Sequence, residues 1–194
     1  MPETAAGEAR GWRTIDELGA LVGAYCWLEH RIFEVTGAWA TGPIDEGAEL
    51  RVWLAAISRR HGVLVGRWAE CLPVRAGIEP AALVTVPAEP KELAGAFEQL
   101  EMTEPGVGVS ALVETVLPWV GGVYECHLAA AIPVAEASIM EVLVEARREG
   151  LAEIRGGRAL LGRSPRAGTP SRHLAEVFKR SFTPERVTPA ARPG

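Results

Sequence analysis

Residues 14–41 read TIDELGALVGAYCWLEHRIFEVTGAWAT, and this stretch decides the fold class. Apolar side chains recur in it at steps of three and four residues, which is the period of a helix face and not of a strand. The members of this stripe are Leu18, Leu21, Tyr25, Leu28, Ile32, Val35 and Trp39. Thr14 and Glu17 form a capping-box pattern, in which each side chain bonds a free amide of the first turn. The stretch therefore predicts a long amphipathic helix.

The same period recurs in three later segments and predicts three more long helices. The second helix follows Asp45, a candidate N-cap, and ends before Pro73. The third covers about 105–131, and we expect Pro118 to kink it. The fourth starts at Ser138, which heads a second capping-box pattern.

The links between the helices predict how they are connected. The first and last links are short, and short links join antiparallel neighbours. The middle link, residues 73–105, is long, contains several prolines and holds one short helix at 91–102. A long link can carry the chain back along the length of a bundle. We therefore expect an all-α fold over residues 14–162, a ferritin-like four-helix bundle with a long crossover between helices two and three.

Residues 163–194 differ in composition from the bundle and are predicted to form a basic tail outside it. They are rich in proline and arginine, although the whole chain has a net charge of −5. A short amphipathic helix within the tail suits docking onto a partner protein. The residues assigned to docking are Leu174, Val177, Phe178, Phe182, Arg172, Lys179 and Arg180. The alternative is that this segment folds back on its own bundle.

Composition excludes several classes of protein. The 194 residues are 48% hydrophobic and 23% charged, as in a globular domain with a core. The net charge of −5 argues against a surface built to bind nucleic acid. Charged residues interrupt the apolar runs before about 18 residues, so we expect no membrane span. The first residues lack the apolar region of a secretory signal, which predicts a cytoplasmic protein.

Ferritin-like bundles bind two irons with one glutamate from each of two helices and a Glu-x-x-His from each of the other two. This chain offers only part of that set, because helix two has histidine without its glutamate and helix four has no Glu-x-x-His. Residue spacing places Tyr25, Glu29, His61, Glu125, His127 and Glu149 near one layer of the bundle, and the candidate metal ligands among them are Glu29, His61, Glu125 and His127. We predict a depleted di-metal site and no cofactor, with iron or manganese as the alternative.

His61 lies on the apolar stripe of helix two, and three interpretations of it stay open. It can be a core histidine hydrogen-bonded in a polar cluster with Tyr25 and Glu29, a metal ligand, or an acid–base group. A fourth possibility pairs His61 with His127 around a haem. The glutamates of helix four recur every four residues, which predicts a solvated acidic edge. These are Glu141, Glu145, Glu149 and Glu153.

Five short stretches of the chain carry a family resemblance. They are residues 28–39 (LEHRIFEVTGAW), 60–73 (from RH through Trp68 to Leu72 and Pro73), 124–128 (YECHL), 133–135 (PVA) and 155–161 (RGGRALL). Together they resemble a bacterial ferritin-like family of unassigned activity. His61 and His127 match its pattern, whereas Leu64 and Gly150 replace a histidine and an acidic residue. The resemblance therefore implies a ferritin-like fold with a degenerate metal site.

The leading functional hypothesis is a non-catalytic or auxiliary subunit. It would contact another protein subunit through the bundle or the basic tail and form a homo- or heterodimer. One alternative is a metal-dependent oxidase or hydroxylase that uses the reduced ligand set of Glu29, His61, Glu125 and His127. The other is a bundle that binds haem or an apolar ligand.

Overall fold

The computed structural model describes residues 13–42, 47–74, 76–87 and 92–163, together with Glu176 and Phe178. These residues form five α-helices and one short 3-10 turn, and none of them lies in a strand. The helices are α1 (Ile15–Thr41), α2 (Ala48–Glu70), α3 (Glu92–Met102), α4 (Pro105–Ala130) and α5 (Pro133–Leu161), and the 3-10 turn is Pro80–Leu83. The predicted all-α fold is confirmed.

Helix α1 begins with the predicted capping box. The Glu17 amide donates to the Thr14 hydroxyl at 3.2 Å, and the Thr14 amide donates to the Glu17 carboxylate at 2.6 Å. Two orphan donors of the first turn are thereby satisfied, a contribution of about 1 kcal/mol to helix stability. The apolar stripe of α1 faces inward, and Leu21, Tyr25 and Ile32 are fully buried.

Side-chain contacts show that α1 and α2 run in opposite directions. Tyr25 meets Trp68, with ring centroids 5.0 Å apart, whereas Glu29, one turn further along α1, bonds His61. Because His61 precedes Trp68 in the chain, the two helices are antiparallel. The short link between them explains this pairing.

Helix α5 packs antiparallel to both α2 and α4. The ion pairs that show this are Arg60–Glu153 and Arg67–Glu145 with α2, and Arg158–Glu114 and Arg147–Glu125 with α4. Helix α4 also meets α1, where the Tyr124 hydroxyl donates to Glu29. The four long helices therefore enclose a common core, and their buried apolar residues form one cluster.

The segment between α2 and α4 covers one side of this core. Its short helix α3 was predicted at 91–102 and buries Leu93, Phe97 and Leu100. The 3-10 turn lies against α1 at Gly23, where a Cβ atom would fall 1.9 Å from the Leu83 carbonyl oxygen. Only glycine permits this approach of the two backbones.

The expected irregularity in α4 lies just before Pro118. Residues Leu112–Val116 form a π-helical turn, in which the Leu117 amide donates to the Leu112 carbonyl. Proline has no amide hydrogen and collides with the carbonyl four residues earlier, so a wider turn ahead of it relieves the conflict. The helix nevertheless continues to Ala130.

Helix α4 qualifies one expectation from composition. Residues Pro105–Ala130 are long and apolar enough to cross a membrane, with a mean hydropathy of 1.4 over the most apolar window. Glu114 and Glu125 interrupt this segment, as the sequence argument states, but its remaining residues keep the mean hydropathy high. Within the protein, 61% of that window is buried, as in the core helix of a bundle.

Two predicted helix starts differ from the structure. Helix α5 begins at Pro133 and not at Ser138, because proline suits the first turn of a helix. The helix is kinked at Glu136, two residues before the predicted start, where the backbone is non-helical at φ −124° and ψ 19°. Asp45, the predicted cap of α2, lies outside the described residues, and Gly47 occupies the N-cap position.

Phe178 corrects the prediction of a tail that stands free of the bundle. Its side chain is 0% exposed, and its ring lies 5.4 Å from that of Phe97 and 5.3 Å from that of Trp119. Phe178 therefore belongs to the core and presents no free docking surface. The other predicted docking residues lie outside the described part of the chain, namely Leu174, Val177, Phe182, Arg172, Lys179 and Arg180.

Candidate functional site

A buried charged cluster lies in the middle of the bundle, where α1, α2 and α5 meet. His61 of α2 bonds Glu29 of α1 through Nδ1 and Glu153 of α5 through Nε2, the latter at 3.2 Å. All three side chains are at most 5% exposed. Buried charges are stable only when they are paired and hydrogen-bonded, and this imidazole bridges two carboxylates.

Two further side chains complete the cluster. The Tyr124 hydroxyl of α4 donates to Glu29 Oε1 at 2.5 Å, and Arg60 Nε donates to Glu153 Oε1 at 2.8 Å. Each carboxylate therefore accepts hydrogen bonds on both oxygens. All four long helices contribute to this one cluster.

The cluster controls the protonation of its histidine. Burial alone would lower the pKa of His61, but the negative charges and hydrogen bonds of Glu29 and Glu153 outweigh it and raise that pKa to about 10. At neutral pH His61 is therefore an imidazolium that donates from both nitrogens. Burial also raises the pKa of Tyr124 well above its ordinary value, and the neighbouring Glu29 charge adds to this effect.

A second buried cluster lies one turn away, toward the start of α1. The Tyr25 hydroxyl lies 3.0 Å from His127 Nδ1, and His127 Nε2 lies 2.6 Å from Glu136 Oε2. Arg13 and the Ile132 amide also donate to Glu136. This arrangement fixes the start of α5 against the end of α4 and explains why Glu136 is buried.

The two clusters differ in their electrostatics. Burial lowers the pKa of His127, and this effect outweighs its hydrogen bond to Glu136. Burial opposes ionisation of Glu136, but the bonds from His127, Ile132 and Arg13 lower its pKa on balance. His127 is therefore a neutral imidazole beside an ionised carboxylate, whereas His61 is charged.

Aromatic rings separate the two clusters. The Tyr25 and Tyr124 rings meet edge to face with centroids 5.0 Å apart, and Trp68 packs on both. The hydroxyls of these tyrosines point to different histidine–carboxylate pairs. The predicted polar cluster is therefore correct for Glu29 and His61, but Tyr25 bonds His127 instead of His61.

A cavity of about 320 Å³ opens between α4 and α5 and reaches the first cluster. Its polar wall includes Glu29, His61, Tyr124 and Glu153. Apolar side chains and three glycines form most of the remainder, namely Leu64, Leu117, Pro118, Val120, Ala146, Leu151, Ile154, Gly121, Gly122 and Gly150. The partly exposed charged side chains of Glu125, Arg147, Glu149 and Arg158 complete the lining. This is the size and chemical character of a small-ligand site.

The four candidate metal ligands do not converge. Glu29 and His61 are bonded, but Glu125 is 62% exposed and paired with Arg147, and His127 belongs to the second cluster. Among the described residues, no group of three or more His, Cys, Asp or Glu side chains has a geometry that could hold a metal ion. The reduced ligand set proposed for an oxidase is therefore not assembled.

Haem between His61 and His127 does not fit this arrangement. Both nitrogens of His61 bond carboxylates, and both nitrogens of His127 bond Tyr25 and Glu136. An axial ligand needs a free ring nitrogen. Neither histidine offers one to the cavity.

Sequence reasoning missed two buried glutamates. Glu153 was assigned to a solvated edge of helix four, yet it is 2% exposed and bonds His61. Its spacing indicates burial, since it lies three residues after Gly150, which lines the cavity, and four before the buried Gly157. Glu136 precedes the buried Ile139 by three residues.

In comparisons with known proteins, no family model, no curated protein and no solved structure matches this chain. The fold and the site define the class as an all-α protein with a buried carboxylate–imidazolium cluster beside a cavity.

Proposed function

We propose that this chain is a ferritin-like four-helix protein with a depleted di-metal site, and that it acts as a non-catalytic or auxiliary partner subunit. It would assemble with a second copy or with another protein in the cytoplasm. The observation that carries the proposal is the position of His61, whose two nitrogens bond Glu29 and Glu153.

The directions of the helices support the ferritin-like connectivity. Helices α2 and α4 are each antiparallel to α1 and to α5, as their pairs of side chains indicate. They therefore run in the same direction, and the segment between them has to cross the length of the bundle. A crossover of this kind is the feature that separates ferritin-like bundles from up-and-down bundles.

The electrostatics of the first cluster support a depleted metal site. A di-metal centre needs carboxylate oxygens and imidazole nitrogens whose lone pairs point to a shared cation. Here the cation between the two carboxylates is the imidazolium of His61 itself. Tyr124 and Arg60 take the outer oxygens of the same carboxylates. His61 therefore occupies the position between the two carboxylates that a metal ion would need.

The outer face of α2 supports a role in assembly. Val52 and Val63 are 69% and 55% exposed, and they lie three helical turns apart on the same side of the helix. Exposed Ala55 and Ala56 extend this strip, and the exposed Arg59 lies between the two valines on the same face. Exposed apolar side chains bordered by charged ones mark sites of protein–protein contact.

Metal analysis tests the depleted site. We expect the protein, expressed with added iron and manganese, to retain far less than one metal ion per chain. We expect the double variant Leu64→His with Gly150→Glu to retain more metal, since both positions line the cavity. The matched control is Val144→His with Arg148→Glu, because both of these residues are exposed on α5 and lie outside the cavity. Near-stoichiometric metal in the unmodified protein, lost in His61→Ala, would contradict the proposal.

Native mass spectrometry tests the role in assembly. We expect the full chain to form a dimer with itself or with a co-expressed partner, and Val52→Glu to weaken that dimer. Val134→Glu is the control, because Val134 is 89% exposed at the start of α5, away from the strip. A chain that stays monomeric alone and with candidate partners would remove the proposed subunit role.

A further inference from the structure

The cavity between α4 and α5 lies where glycines occupy helix positions that face the bundle. Gly121 of α4 and Gly150 of α5 line it from opposite sides. A Cβ atom at either position would meet no atom within 4 Å. Ordinary side chains therefore fit there, and their absence leaves the space open. Each glycine also costs about 1 kcal/mol of helix stability relative to alanine.

The buried end of this cavity offers hydrogen-bond acceptors but no free donor. His61 gives its two N–H groups to Glu29 and Glu153, and Tyr124 gives its hydroxyl hydrogen to Glu29. Each carboxylate oxygen has a second lone pair, so Glu29 and Glu153 can each accept more than they receive. A ligand at this end must therefore donate hydrogen bonds to the carboxylates.

Next to this end the cavity selects an apolar body of limited size, because Leu117, Val120, Ala146 and Ile154 line it along the two helices. Four partly exposed charged side chains also line it, and its two arginines, Arg147 and Arg158, are paired with glutamates. A cavity of about 150 Å³ accommodates benzene. The volume here, about 320 Å³, therefore admits one ring with a short side chain.

We propose that this cavity binds a small organic amine, with its ammonium group at the Glu29–Glu153 end and its apolar body between α4 and α5. Hydrogen bonds from a charged donor to carboxylates are roughly twice as strong as neutral ones, which favours an ammonium over a hydroxyl group. This inference goes beyond the proposed subunit role, and it makes the protein a ligand-binding subunit.

Isothermal titration calorimetry with three matched probes tests the ligand class. The probes are 2-phenylethylamine, 2-phenylethanol and 3-phenylpropionate, which share a ring and differ in the polar group. We expect the amine to bind at least tenfold more tightly than the alcohol, and the carboxylate not to bind. Equal affinity for amine and alcohol, preference for the carboxylate, or no binding of the amine at millimolar concentration would each overturn the proposal.

Cavity-filling variants test the location. We expect Gly150→Leu and Gly121→Leu to weaken binding of 2-phenylethylamine at least tenfold while thermal unfolding stays cooperative. The control is Gly66→Leu, because Gly66 is exposed on α2, outside the cavity, and a Cβ there also meets nothing. Undiminished binding in both cavity variants would place the amine elsewhere and contradict the proposal. Metal retention is measured without the amine, so a failure of the amine-binding proposal can be distinguished from a failure of the depleted-metal-site proposal.

Discussion

His61 of α2 and Glu153 of α5 join two helices across the centre of the bundle, with Nε2 of the imidazole 3.2 Å from Oε2 of the carboxylate. The opposite nitrogen of the same ring bonds Glu29 of α1. One side chain therefore links three helices. Since each partner is buried, the loss of one leaves an uncompensated charge in the core.

The substitution Glu153→Gln should destabilise the protein by about 3 kcal/mol. It removes one of the two negative charges that hold the His61 imidazolium, and Arg60 loses its buried partner as well. Breaking a buried ion pair by neutralising one member costs about 3–5 kcal/mol, and the amide retains part of the hydrogen bonding. The free energy of unfolding from urea denaturation measures this loss.

Glu145→Gln is the matched control on the same helix. Glu145 pairs with Arg67 at 2.9 Å, but both side chains are more than a third exposed. Exposed ion pairs contribute about 0–1 kcal/mol, so this variant should remain near the stability of the unmodified protein. Equal losses in the two variants would mean that the His61 cluster is not the source of the effect.

The stability of the protein should fall as pH rises above neutrality. The pKa of His61 is raised from 6.5 to about 10 in the folded state, where burial opposes the charge but Glu29 and Glu153 outweigh it. The stabilisation is fully present below pH 6.5 and is lost as pH rises toward 10. In that window the unfolding free energy should fall by about 1.4 kcal/mol per pH unit. Tyr124, which bonds Glu29, stays neutral in this window because burial raises its pKa well above its ordinary value.

Urea denaturation at a series of pH values measures this dependence. The variant His61→Gln should be less stable at pH 6.5 and should show a much flatter profile toward pH 10. His30→Gln is the control, because it replaces a histidine that is about half exposed on α1 and lies outside the cluster. A profile in His61→Gln as steep as that of the unmodified protein would assign the effect to another group.

The helices could be predicted from the sequence because each carries a local, periodic pattern. The capping box at Thr14 and the proline at residue 105 mark helix starts within a few residues, and both agree with the structure. The start of α5 was missed, since Ser138 offered a second capping pattern inside a helix that Pro133 had already begun. Two local sequence patterns can indicate different starts for the same helix, and tertiary packing determines which start forms.

The site was predicted only in part, for a geometric reason. The pairing of Glu29 with His61 follows from their levels on two adjacent antiparallel helices, which residue spacing fixes. The partner of Tyr25 depends on its rotamer, which directs the hydroxyl to His127 and away from His61. Glu153 was misread because an acidic residue every four positions usually marks a solvated face.

Phe178→Ala should destabilise the bundle by about 3 kcal/mol. The ring is fully buried between Phe97 of α3 and Trp119 of α4, and its removal leaves a cavity there. Thermal unfolding followed by circular dichroism measures the loss. Phe33→Ala is the comparison, because Phe33 is 38% exposed and should cost less than half as much. Unchanged stability in Phe178→Ala would contradict the burial of this ring and would again favour a docking role for Phe178.

Gly23→Ala should be among the most destabilising alanine substitutions in α1. The new Cβ would lie 1.9 Å from the Leu83 carbonyl oxygen, and this neighbour is backbone, so the 3-10 turn at Pro80–Leu83 has to move away from the helix. Gly66→Ala, in an open position on α2, makes the same change without a clash and should stabilise the protein by about 1 kcal/mol. Urea denaturation of both variants separates helix propensity from packing. A stabilised Gly23→Ala variant would show that the segment between α2 and α3 does not hold this contact with α1.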